Sequence, residues 1–126
     1  MRMVFDSSVI MAILRDEPGR DVGEKHLEQA MLSIVNYAEV TSILGRSRPS
    51  TTALKRAVQP FEPYVVAINT DIAQMAGALV AETKELGLSL GDRVCLALGI
   101  SHNLPILTAD KTWSQLDLPI EVNQIR

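Results

Sequence analysis

The stretch MRMVFDSSVIMAILR, residues 1–15, sets the terms for the rest of the chain. The apolar run MRMVF stops abruptly at Asp6, and SSVIMAILR follows with apolar residues at helical spacing. An apolar run without polar alternation fits a short strand covered on both faces. Ser7 or Ser8 is placed to cap the helix that follows, because a side-chain oxygen there can accept a first-turn backbone N–H. A buried strand running straight into a helix is the opening of a βα unit.

The same pattern recurs downstream. EPGRDVGEKHLEQA reads as a turn and a polar helix, and MLSIV as a second strand, with Asn36 able to cap a helix through YAEVTSILGR. Pro49 breaks that helix, and STTALKRAVQPF reads as a short basic one. YVVAI is a third strand, after which Thr70 or Asp71 opens a long Ala-rich helix ending near Gly87. Gly91 and Asp92 start the apolar helix of LSLGDRVCLALGI, residues 88–100. LPILT is a fourth strand, Asp110 to Leu116 a short turn or helix, and IEV a fifth strand. Strands that lack polar alternation and alternate with helices imply a central, mainly parallel five-stranded sheet in a three-layer α/β/α domain.

Length and composition agree with one domain over residues 1–126. A chain of this size buries roughly two-thirds of its unfolded surface, enough for a core without covalent staples. Hydrophobic residues are 47% and charged residues 21%, a globular balance. The single cysteine, Cys95, rules out a disulfide framework and fits a reducing, cytoplasmic compartment. Asp6 interrupts the N-terminal run, so no signal peptide is expected, and no apolar run approaches the ~18 residues of a membrane span. Net charge is −3, but Val40 to Phe61 contains no acid and holds Arg46, Arg48, Lys55 and Arg56. Aromatics at 4% argue against a base-stacking nucleic-acid platform.

In open parallel sheets, ligands bind beyond the carboxyl ends of the strands, where strand order reverses. Four acids belong near that edge. Asp6 follows the first strand, Glu39 lies early in the helix after the second, and Asp110 follows the fourth in LTAD. Asp92 opens the helix that feeds the fourth strand, so an antiparallel packing brings it to the same edge. Each alone has an ordinary explanation as a cap, turn or solvated residue. Together they would repel and raise one another's pKa values unless a cation shared them. All-oxygen donors with no histidine or cysteine cluster select Mg²⁺ or Mn²⁺ over zinc. Arg93, next to Asp92, either approaches nucleic acid at this site or pairs with Glu39 or Asp92. His26 and His102 have no ligand-spaced partner, and no P-loop, GxGxxG or GxSxG is present.

The segments MVFDSSVIMAIL, SIVNYAEVTSIL, LSLGDRVCLALGI and ILTADKTW resemble, in order and spacing, the motifs of PIN-domain ribonucleases. More narrowly they are similar to the VapC-type toxins of toxin–antitoxin modules, over residues 2 to about 123. The resemblance implies a PIN-like fold in which Asp6, Glu39, Asp92 and Asp110 form the catalytic, metal-binding quartet, with Ser7 and Thr108 as supporting hydroxyls. It implies metal-assisted hydrolysis of RNA to products with a 5′-phosphate and a 3′-hydroxyl, homodimers, and inhibition by a cognate antitoxin. Trp113 occupies the neighbourhood where some members carry a further acid, and the segment after SILGR is short. Arg46, Arg48, Lys55 and Arg56, with Arg93 and Lys111 beside the acids, are the candidate RNA contacts. Two other readings are a catalytically idle PIN-like binding subunit and a receiver-like signalling domain. The latter wants an acidic pair at the first strand, an aspartate after the third and a lysine after the last, none of which stands here.

Overall fold

A computed structural model of the chain describes all 126 residues. Its elements run β1 (Met3–Phe5), α1 (Ser7–Arg15), α2 (Arg20–His26), β2 (Ala30–Ser33), α3 (Ile34–Gly45), α4 (Thr51–Val58), β3 (Val65–Val66), α5 (Thr70–Ala78), α6 (Val80–Thr83), α7 (Leu90–His102), β4 (Ile106–Thr108) and β5 (Val122–Gln124). Short 3₁₀ segments cover Leu27–Gln29, Gln59–Tyr64, Lys84–Leu86 and Lys111–Gln115. The five strands are all parallel and stand in the order β3-β2-β1-β4-β5. Order reverses at β1, so the crevice for a ligand opens at the carboxyl ends of β1 and β4.

Alternate strand residues enter two separate cores. Met3, Phe5, Ala30, Leu32 and Leu107 pack with α1 and with Val40, Val58 and Phe61. Val4, Met31 and Ile106 pack on the other face with Ile72, Ala76 and Leu79, the apolar run of α7, and Trp113. Both sheet faces are therefore covered by helices, which is why the strands show no polar alternation. Cys95 lies fully buried in the second core. No helix is long and apolar enough to cross a membrane.

Several helix starts differ from the sequence expectation, each for a local reason. Neither Ser7 nor Ser8 caps α1: the extended residue before the helix is Asp6, and the serines are its first two residues. Ser33, not Asn36, caps α3, its Oγ accepting from the Asn36 N–H at 2.9 Å. Asn69 caps α5 in place of Thr70 or Asp71. The helix of LSLGDRVCLALGI starts at Leu90, where Ser89 and Asp92 form a reciprocal capping box. The long Ala-rich helix breaks at Leu79 and ends in a 3₁₀ turn at the left-handed Gly87. Fully buried Thr83 donates to the Leu79 carbonyl at 2.8 Å, a back-bond that bends helices. Core packing takes Ile72, Ala76 and Leu79, leaving Val80 49% exposed as the apolar surplus of this segment.

The close approach of α7 to β4 requires Gly99, where a Cβ would meet Ile106 side-chain atoms at 2.8 Å. Gly77 on α5 faces open space. Gly99→Ala is expected to destabilise the protein by about 1–3 kcal/mol through overpacking. Gly77→Ala is expected to stabilise it by up to about 1 kcal/mol through lost backbone entropy of the unfolded chain. Urea denaturation of the two variants checks both signs.

Candidate metal-binding active site

Asp6 stands at the switch point, directly after β1, and is only 3% exposed. One carboxylate oxygen, Oδ2, accepts from two hydroxyls, Ser8 Oγ at 2.7 Å and Thr108 Oγ1 at 2.9 Å. The other, Oδ1, is buried and has no hydrogen-bond partner. The hydroxyl pair ties two strand ends together, because Ala109 N–H donates to Ser8 Oγ and Asp110 N–H to Thr108 Oγ1. The resemblance points to Ser7 as the supporting hydroxyl, and helix spacing makes Ser8 only a candidate cap; in the structure Ser8 contacts Asp6. The missed signal is spacing: two residues past a strand-end aspartate, a first-turn serine turns back toward it. Ser7 acts on Glu39 instead, opposing the rise of that carboxyl.

Glu39 and Asp92 approach from the flanking helices. Asn36 Nδ2 donates to Glu39 Oε1 at 2.8 Å, and the Glu39 carboxylate lies against the bare Cα of Gly91. Asp92 accepts from the Ser89 N–H at 2.9 Å. Burial foremost, with the charges of Asp92 and Glu39, pushes the Asp6 carboxyl up to about 6. Burial foremost and the charge of Asp92 raise Glu39. Burial, followed by these three charges, pushes the Cys95 thiol well up, so it is an inert core thiol and no nucleophile.

Asp110 is engaged by its own turn. Its Oδ1 accepts from Thr112 N–H and Oγ1, at 2.9 and 2.7 Å, and its carbonyl accepts from Gln124 Nε2 at 2.9 Å. It is not among the groups that act on Asp6 or Glu39. Arg93 turns away from the acids: Nη1 donates to the Ala76 carbonyl at 3.1 Å, tying α7 to α5, so neither Glu39 nor Asp92 pairs with it. Lys111 is exposed beside Asp110, and Arg46, Arg48, Lys55 and Arg56 are exposed at the end of α3 and on the segment after it.

As the side chains stand, no three acids, histidines or cysteines are close enough to share one ion. The donor set nevertheless fits a hard cation. Every ion pair of the chain lies at the α1–α2 corner or the C-terminus, so no lysine or arginine neutralises these acids. An orphaned, buried carboxylate oxygen beside two further carboxylates is what a divalent oxygen-seeking ion would complete.

A model of the PIN domain matches residues 3–118. The chain belongs to the PIN domain family. Solved structures with the same fold include VapBC-1 from nontypeable Haemophilus influenzae (TM-score 0.74, 16% identity, covering 99% of this chain and 98% of that one). VapBC2 from Rickettsia felis, bound to a DNA fragment from its promoter, superposes at 0.73 with 14% identity, covering 98% of each chain. VapC20 of Mycobacterium tuberculosis, a sarcin-ricin loop cleaving toxin, superposes at 0.69 with 16% identity, covering 90% of this chain and 93% of that one. Among curated proteins none matches.

The raised Asp6 carboxyl binds its proton more tightly in the folded than in the unfolded chain. Without metal, its stabilising contribution is complete below about pH 4 and is lost as pH rises through about 6, a change of about 3 kcal/mol. In EDTA, the stability of Asp6→Asn relative to the native chain is expected to rise by that order between pH 4 and 7.5. Denaturant titrations at both pH values measure it; a constant difference would show that Asp6 is not raised.

Proposed function

We propose that this chain is a Mg²⁺- or Mn²⁺-dependent endoribonuclease that acts as the toxin of a type II toxin–antitoxin pair. The observation that carries the reading is the buried, unpartnered Oδ1 of Asp6, set among acids that no cation of the chain neutralises. Asp6, Glu39 and Asp92 would hold the ion, with Asp110 at the rim. Such an ion lowers the pKa of a bound water and offsets charge on the phosphoryl group under attack. Ser8 and Thr108 fix the face that Asp6 presents by occupying Oδ2. Glu39, whose carboxyl is raised by burial and by the charge of Asp92, is suited to complete the shell of the ion or to orient the attacking water.

The acids repel RNA, so its backbone needs cations nearby. An open groove of about 440 Å³ runs along α3, lined by Val35, Ala38, Glu39, Ser42, Ile43 and Arg46. Arg46 lies two helical turns, about 10 Å, from Glu39 on this one stripe. It is therefore the foremost phosphate contact among the candidates, with Arg48, Lys55, Arg56 and Lys111 as outer ones. Neighbours with this fold were solved as toxin–antitoxin complexes, which supports a cognate antitoxin as partner. Exposed Ile34, Val80 and Leu90 offer apolar surface for a homodimer. The single buried thiol suits a reducing, cytoplasmic setting.

Purified protein freed of antitoxin is expected to cut total cellular RNA into discrete fragments with Mg²⁺ or Mn²⁺. EDTA and Asp92→Asn should each abolish them. Identical patterns from native and Asp92→Asn protein, or no cleavage with any metal, would favour the catalytically idle binding subunit. Arg46→Ala is expected to raise KM roughly tenfold, the worth of one charged phosphate contact, and more than Lys55→Ala does. Its salt dependence should fall by about one phosphate.

A further inference from the structure

Asn36 is fully buried, and the mechanism above gives it no part. Its Nδ2 donates twice, to Glu39 Oε1 at 2.8 Å and to the Gly91 carbonyl at 3.1 Å. Both partners can only accept, so the end of the amide facing them must be the NH₂. At the other end, Oδ1 accepts from Ser33 Oγ at 2.6 Å, and that hydroxyl accepts in return from the Asn36 N–H. The amide is thus fixed at both ends and spans three elements: the end of β2, the first turns of α3 and the start of α7.

Gly91 completes the arrangement from the opposite side. A Cβ there would overlap Cδ and both oxygens of the Glu39 carboxylate. The left-handed backbone that usually explains a glycine is absent, since Gly91 lies in the first turn of α7. Its lack of a side chain serves the carboxylate. Glutamate has three rotatable side-chain bonds, and repulsion from Asp92 would otherwise drive Glu39 toward solvent.

We infer that Asn36 and Gly91 are positioning residues that clamp the Glu39 carboxylate against the start of α7, and so fix one of the carboxylates from which the cation site is assembled. This rests on the reading of Glu39 as an acid of that site. Interactions of this kind around metal ligands are worth about 10–100-fold in metal affinity.

The test is a Mn²⁺ titration of RNA-free protein, following the free-ion paramagnetic resonance signal, with near-ultraviolet dichroism confirming folded variants. Asn36→Leu and Gly91→Ala are each expected to weaken Mn²⁺ binding about 10–100-fold. Gly91→Ala strengthens the helix intrinsically and serves alone if Asn36→Leu does not fold. The distinguishing readout is rescue. Glu39→Asp is expected to weaken binding in the native background but strengthen it in Gly91→Ala, because the shorter side chain leaves room for the added Cβ. If Glu39→Gln weakens binding while Gly91→Ala stays within twofold of native, or Glu39→Asp fails to rescue it, the clamp is overturned and the cation site stands. If Glu39→Gln leaves Mn²⁺ affinity unchanged, Glu39 is no acid of that site and the clamp falls with it.

Discussion

The arrangement depends on a carboxylate placed where one is hard to keep. Asp6 must be buried because β1 is the central strand of a sheet covered on both faces, and it lies at that strand's end. Burying a charge without a partner is costly, and the chain answers only half of that cost. Two hydroxyls satisfy Oδ2, while Oδ1 is left without a partner. Neighbouring acids make the charged form harder still to hold. A site optimised for stability alone would place an arginine or an amide here. The energetic deficit is intelligible if something outside the chain completes it, and a small divalent cation has the required charge and preference for oxygen.

Much of the surrounding structure serves this one group. The switch in strand order creates the crevice, and Ser8 and Thr108 knit the ends of β1 and β4 around Asp6. The capping box of α7 sets where Asp92 emerges, since the carboxylate that faces the other acids also accepts from Ser89. Asn36 draws α3 against α7, and through Glu39 it brings a third acid to the same edge. Arg93, beside Asp92 in sequence, is used elsewhere, so the acids keep their negative field. Fold stability and site geometry are coupled through a few short polar contacts at the carboxyl edge of the sheet.

The architecture was legible because burial on both sheet faces leaves a strong mark: short apolar runs without alternation, separated by helical spacing. The common neighbourhood of Asp6, Glu39 and Asp92 was legible for the same reason, since each follows or faces the end of such a run, whereas Asp110 follows β4 without acting on them. Local polar chemistry was less so. Ser33, Asn69 and Ser89 compete with adjacent residues for the capping role, and one-dimensional spacing does not choose among them. The break at Leu79 coincides with a hydrogen bond from the buried hydroxyl of Thr83, which resembles any other helical threonine in the sequence. Ser8 differs from Ser7 only in the direction the first helical turn gives it. Asn36 read as a cap because its contacts with Glu39 and Gly91 depend on how α3 packs against α7, 55 residues away along the chain. For the same reason the sequence leaves open an ion pair of Arg93 with Glu39 or Asp92 that does not form: Arg93 Nη1 goes to a backbone carbonyl of a helix no motif connects to it.

The central claim is that the buried Asp6 carboxylate is kept for a divalent cation. Isothermal calorimetry of Mn²⁺ binding at pH 6, in two buffers of different ionisation enthalpy, reads the protons released per ion. The account predicts release of roughly half a proton from Asp6 at that pH, falling toward zero by pH 8 and absent in Asp6→Asn, which should bind the ion poorly. Undiminished Mn²⁺ binding by Asp6→Asn, or binding at pH 6 with no proton released, would contradict it.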